Sequence, residues 1–349
     1  MHISYRTRRR LQRFGAAAMV VTIFLILGWL SWVVWLERYV VYTRDGAEIN
    51  FDLPSRLPVG QIATPPSNEG SIEIFYNEGL NAVSTSTELV QLRGYYIDKD
   101  ALTKDLAGSR ARLASLPADT PIMIELKNID GSFNYSSNLA DATYSGVDLV
   151  AVDDFIKDLT AGKFYSIAKI SAFRDRNYGL NHVTSGLPIK GGGGVLWPDE
   201  KGCYWLDPTD PYALNWIIQV ITEVKAMGFN EVVLGEFRFP NTDKIIFDED
   251  KTQALQDAMN TILEKCADET FTISFTVSSA SFELPEGSRT RIYMDNVTAD
   301  MVGATASQAS MDDPEIRLVF ISPTNDTRYD DYGVLRPIAS SDVLEEMNR

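Results

Sequence analysis

Three short runs place charged groups inside otherwise apolar segments: "PIMIELKN" with Glu125 and Lys127, "KFYSIAKISAF" with Lys169, and "EVVLGEFRFP" with Glu236 and Arg238. A carboxylate within an apolar strand has to be paired or sit at an open end, because burying it alone costs several kcal/mol. Two carboxyl groups facing one cleft would support general acid/base chemistry, with one donating a proton and the other staying ionised. Other chemistries have few residues to work with. His2 and His182 are the only histidines and Cys203 and Cys266 the only cysteines, which leaves no histidine-rich zinc site and no full set of partners for a Ser-His-Asp or Cys-His arrangement. The two cysteines form one bridge or stay reduced, and spacing does not decide between these.

Strand periodicity puts Met123, Glu125 and Lys127 on one face, and Tyr165, Ile167, Lys169, Ser171 and Phe173 on one face of the next strand. Pairing of Glu125 with Lys127 or Lys169 near adjacent strand ends would serve an active site or a structural ion pair equally. Strand-like runs alternate with helical ones at Lys99 to about Ala114, about Val150 to Ala161, Tyr212 to Met227 and Lys251 to Cys266. That alternation predicts an α/β fold with a parallel sheet covered by helices. No GxGxxG or GxxxxGK[ST] follows an early strand, so a (β/α)8 TIM-like barrel is preferred to a nucleotide-binding open sheet. After "IRLVFISP" only "YGVLRPI" remains as a strand. Either Arg291 to Asp295 and Tyr332 to Ile338 close the barrel, or it is incomplete at its C-terminal end.

The N-terminus reads differently. Five arginines precede the uncharged run Phe14 to Leu36, which as a helix would reach about 34 Å, enough to span a bilayer. The pattern predicts a basic cytoplasmic tail (1–13), a transmembrane anchor (14–36), an extracytoplasmic Pro/Ser-rich stalk (37–90) with a short strand in "SIEIFY", and the barrel domain (91–349) across the membrane. The lipid bilayer is then a partner. Net charge is −16, with the five arginines all before residue 14. Such acidity repels phosphate backbones, which argues against nucleic acid and for neutral or basic substrates. No cofactor is called for, and the acidic "FDEDK" reads as a helix start, not a calcium loop.

Four stretches, "PIMIELKNIDGSFNY", "FYSIAKISAFRD", "GGVLWPDEKGCYWLDPTDP" and "MGFNEVVLGEFRFP", together resemble a glycoside hydrolase family with a TIM-barrel fold, formerly described as a bacterial domain of unknown function, over about residues 92–322. The resemblance implies a barrel acting on an envelope or extracellular polysaccharide, or a catalytically inactive barrel kept as a glycan-binding or scaffold module. Glu125, Lys127 and Asp130 occupy the family's second-strand places. Lys169, Phe173, Arg174 and Asp175 occupy the third-strand places, and Trp197, Trp205, Asp207 and Pro208 those of the tryptophan loop. In the fourth strand the family usually carries Asp before "YVRFP", where this chain has Gly235 followed by Glu236.

Glycoside hydrolysis by paired carboxylates then points to Glu125 and Glu236, with Asp175 in reserve and Asp130 positioning substrate. Lys127 and Lys169 would tune those carboxylates. Trp197 and Trp205 offer flat faces for a sugar ring or pack the loop. Asp207 contacts substrate or caps the coming helix, and Arg238 binds a carboxylated sugar or anchors a loop at Asp243.

Overall fold

The computed structural model describes residues 40–43, 46–49 and 89–338. The chain divides into two units, residues 1–78 and 79–349. The first contributes one described element, an antiparallel hairpin of Val40–Thr43 with Gly46–Ile49. The expected strand in "SIEIFY" lies outside the described residues.

The second unit is an eight-stranded parallel barrel. Its strands are β1 (Arg93–Ile97), β2 (Pro121–Lys127), β3 (Tyr165–Ser171), β4 (Glu231–Gly235), β5 (Thr272–Thr276), β6 (Ile292–Met294), β7 (Leu318–Ile321) and β8 (Gly333–Pro337), each paired with the next. Closure is made by β8 on β1, with Val334 opposite Arg93 and Pro337 opposite Tyr96. Of the two endings left open by the sequence, the closed one is found, and the incomplete barrel is corrected. Three residues of β6 and five of β8 suffice because each need only continue the ladder between longer neighbours.

The strands are buried on both faces, as their near-continuous apolar runs require. Met123, Ile167, Val233, Tyr293, Val319 and Leu335 fill the barrel. Ile124, Ile170, Leu234 and Phe275 face outward to the helices. The helices are α1 (Lys99–Lys104), α2 (Leu106–Ser115), α3 (Leu149–Thr160), α4 (Arg176–Asn181), α5 (Pro211–Ala226), α6 (Lys251–Cys266), α7 (Val302–Ala306) and α8 (Pro314–Arg317). Five begin on an aspartate whose carboxylate accepts the N–H three residues on: Asp98, Asp148, Asp175, Asp210 and Asp250. Each such cap stabilises its helix by about 1 kcal/mol, so part of the acidic excess is structural.

A buried ion pair lies inside the barrel. Glu231 and Arg291 are 0% and 1% exposed and pair at 2.6 Å. Tyr165 at 2.9 Å, Ser274 at 2.6 Å and Tyr293 at 3.0 Å also donate to Glu231. Burial disfavours the guanidinium's charge, but Glu231 and the two tyrosines outweigh it and hold Arg291 above its ordinary value.

The membrane anchor is corrected. Among the described residues no helix is long and apolar enough to cross a bilayer, and residues 14–36 lie outside them. The single-pass topology, the extracytoplasmic location and the lipid bilayer partner therefore have no structural support and are not carried further.

Candidate active site

The site grows from the exit of β4. Gly235 ends the strand on the inner face, where a Cβ would lie 3.3 Å from Lys169 Cε and 3.4 Å from Ile170 O. The stem of Lys169 thus fills the space an acidic side chain would need at this position. The chain is fixed on both sides of the next residue. Ala172 N donates to Gly235 O at 2.8 Å and Phe237 N to Thr276 O at 3.1 Å, while the Phe237 ring is fully buried. Between these anchors Glu236 takes a left-handed φ of 53°. That conformation is uncommon for a residue with a side chain and carries strain of order 1 kcal/mol. It turns the carboxylate to the barrel's C-terminal mouth, where (β/α)8 active sites sit.

There Glu236 is held by two guanidinium groups. Arg174 Nη1 donates to Oε1 at 3.2 Å, and Arg238 Nη2 lies 2.6 Å from Oε2. Arg174 also pairs with Asp199 at 2.5 Å. Both guanidiniums lie over the buried Trp205 ring, 5.7 and 4.8 Å from its centroid, and Trp205 Nε1 donates to Asp199 at 3.3 Å. Burial raises the Asp199 carboxyl, yet the Cys203 and Lys201 N–H donors and Arg174 bring it below the usual range. Burial likewise opposes the charge of Arg174, and Asp199 and Glu236 override it.

Glu236 and Arg238 open into a cavity of about 590 Å³ whose lining also includes Asn241, Lys251, Thr276 and Asp295. Asp295 follows β6 and continues the inner-face alternation of Arg291 and Tyr293. Two carboxylates from different strand ends therefore share one polar cavity. Asn296, beside Asp295, is also left-handed at φ 59°.

The other expected site residues separate into two groups. Glu125 is half-buried, stands opposite Lys169 in the ladder, and accepts from Lys99 N at 3.1 Å. Among the described residues it makes no ion pair with Lys127 or Lys169. Asp130 accepts from Ser132 N at 2.9 Å and lies 4.0 Å from Lys99 Nζ. Burial would raise its carboxyl, but the Ser132 donors outweigh this and lower it. Lys99 thus joins Glu125 and Asp130 on the β1–β2 side.

Lys127 departs from the shared face. A register shift between Glu125 and Lys127 turns it to the Ile170 side, where it is buried and pairs with Asp175 at 2.7 Å. Asp175 is fully buried, caps α4 through Tyr178 N at 2.8 Å and accepts from Trp216 Nε1 at 3.2 Å. A Cβ at Gly131, whose φ is 82°, would collide with Asp175 Oδ1. Every acceptor direction of this carboxylate is enclosed.

Trp197 is half-buried against the outer core. Asp207 accepts from Thr209 N at 2.8 Å, and the helix cap is Asp210. Arg238 pairs with Glu236 and not with Asp243. The two cysteines are free and buried, and among the described residues no cluster of metal ligands occurs.

Asp295, Thr276 and Lys251 were not singled out from sequence as site residues. Extending the period-2 pattern of "RIYMD" through Arg291, Tyr293 and Asp295 would have found the first.

A closed parallel α/β barrel with a polar C-terminal mouth is the class that fold and site define. A family profile described as "Putative glycosyl hydrolase domain" matches residues 108–290, more than half of the chain, and the chain belongs to that family. No curated protein matches the chain. Among solved structures, a hypothetical protein from Ruminiclostridium thermocellum is similar at 19% identity and a TM-score of 0.44, over 52% of this chain and 96% of that one. A GH20 β-N-acetylhexosaminidase from Streptomyces coelicolor is similar at 11% identity and a TM-score of 0.43, over 68% and 51%. A GH36 α-galactosidase from Geobacillus stearothermophilus is similar at 11% identity and a TM-score of 0.46, over 73% and 40%. The chain thus spans about half or less of these two glycosidases, and no residue role is carried over from them.

Proposed function

We propose that the barrel binds a glycan at its C-terminal mouth and hydrolyses a glycosidic bond there. The observation that carries this reading is the cavity shared by Glu236 and Asp295 at the ends of β4 and β6. Glycoside hydrolysis uses two carboxyl groups flanking the scissile bond, one exchanging a proton with the leaving oxygen and one facing the anomeric carbon or its attacking water. Glu236, fixed by two guanidiniums, and Asp295, open to solvent, are the two carboxyl groups available for these roles. Glu125, with Asp130 and Lys99, would contact the substrate from the β1–β2 side. Family membership supports the general class and leaves the sugar and linkage open.

A second reading, glycan binding without hydrolysis, draws on one observation: each oxygen of Glu236 already accepts from a guanidinium. Turnover of a panel of polysaccharides by the full chain, beside E236Q and D295N, separates the two. Hydrolysis predicts product from the parent and losses of about 100-fold or more in both folded variants. Turnover unchanged in both variants refutes the pair. Saturable binding with no turnover by the parent favours the second reading.

A further inference from the structure

The net charge of −16 argues for neutral or basic ligands, but screening limits the field in a cavity to charges within about 8–10 Å. Those lining the mouth have to be counted separately. Arg174 is matched by Asp199, and Arg238 by Glu236. Two charges of the lining are left over, Asp295, which the proposed hydrolysis uses, and Lys251: among the described residues neither has an ion-pair partner, and Lys251 has no side-chain hydrogen bond. Its ammonium is 5.5 Å from the centroid of the Phe239 ring, an aromatic contact that holds the charge at the cavity without consuming its N–H donors.

The position of Lys251 is unfavourable for the helix it begins. It is the first residue of the sixteen-residue α6, whose first turn contains no acidic residue. A cation there opposes the helix dipole, and the capping Asp250 beside it supplies the negative charge this end favours. The second, independent feature is Thr276. It is 5% exposed, lies on the inner face at the end of β5, lines the same cavity, and its Oγ1 has no hydrogen-bond partner. A buried hydroxyl without a partner is costly unless a ligand completes it.

We propose that this cavity recognises a glycan bearing an anionic substituent, a carboxylate or a sulfate ester, through Lys251, the unused N–H groups of Arg238 and the Thr276 hydroxyl. The inference rests on the cavity being the glycan site and deepens that reading by naming the substrate class. It is a statement about binding, so it stands or falls separately from hydrolysis.

The test is calorimetric titration of the full chain with a uronic-acid oligosaccharide, its carboxyl-reduced neutral counterpart and a sulfated neutral oligosaccharide of equal length. Two charge-assisted hydrogen bonds predict a preference of about tenfold or more for the acidic ligand, weakening as salt rises. Preference for both anionic ligands assigns the site to anions in general, and preference for the uronate alone assigns it to carboxylates. K251E should abolish the preference and T276V should weaken acidic binding. Because K251E places an acid in the first turn of α6, it favours the helix, and circular dichroism should show an intact fold. Equal affinity for acidic and neutral ligands, or a preference that survives K251E, overturns the inference. Acid-selective binding without turnover leaves it standing while hydrolysis fails, whereas turnover without acid selectivity does the reverse.

Discussion

Replacing Arg291 by methionine should test how much the buried ion pair stabilises the barrel interior. The substitution keeps an unbranched apolar stem but removes the 2.6 Å ion pair with Glu231 and the bonds from Arg291 to the Val90 and Ile316 carbonyls at 3.0 and 3.3 Å. Glu231, fully buried, keeps only the neutral donors Tyr165, Ser274 and Tyr293. Removing one partner of a buried ion pair costs about 3–5 kcal/mol, because the remaining charge has no route to water. For a domain of this size, each kcal/mol lowers Tm by about 2–4 °C, so a fall of about 6–20 °C is expected. Urea unfolding of the full chain should show the same loss as a lower midpoint with unchanged slope. The double variant E231L/R291M removes both charges and should regain much of the stability, a strong departure from additivity. R291M within about 1 kcal/mol of the parent, or additivity in the double variant, would refute the idea that this pair stabilises the barrel interior.

Two further outcomes follow from other buried groups. Lys127→Met should destabilise the fold by about 3–5 kcal/mol, because it strands the enclosed carboxylate of Asp175; chemical denaturation measures this, and a loss below about 1 kcal/mol would contradict the enclosed pair. Asp199 has a carboxyl lowered from its ordinary 3.8, so its contribution is fully present above that pH and is lost as pH falls through the folded value. D199N should therefore flatten the acid limb of a stability-against-pH curve below about pH 4, and superimposable limbs for parent and variant would count against the Arg174–Asp199 link.

Much of the scaffold could be read from residue order alone, because strand and helix periods are local. The helix boundaries at Lys251 and Cys266 coincide with the structure, and the caps preceding the long helices are aspartates at the positions their chemistry requires. The side on which Lys127 projects could not be read. Period 2 puts it with Glu125, but a single register shift against β3 reverses it, and that shift depends on the partner strand.

The same limit governed the site. Sequence placed Glu236 one residue past the inner-facing position, and an ideal strand would have pointed it away from the barrel. Its direction instead follows from a positive φ imposed by the anchored neighbours Gly235 and Phe237, and those anchors lie on β3 and β5, distant in sequence. Asp295 was hidden for another reason. The three-residue strand before it is too short to show a period by itself, and its inward face is fixed by Arg291 reaching Glu231 across the barrel. Charge was misleading when summed over the chain, since five aspartates are used as helix caps while Lys251, at the start of α6, lines the cavity with no ion-pair partner among the described residues. On the proposed reading a glycan at this mouth meets Lys251, Arg238 and Thr276, so local pairing, and not net charge, sets what the mouth accepts.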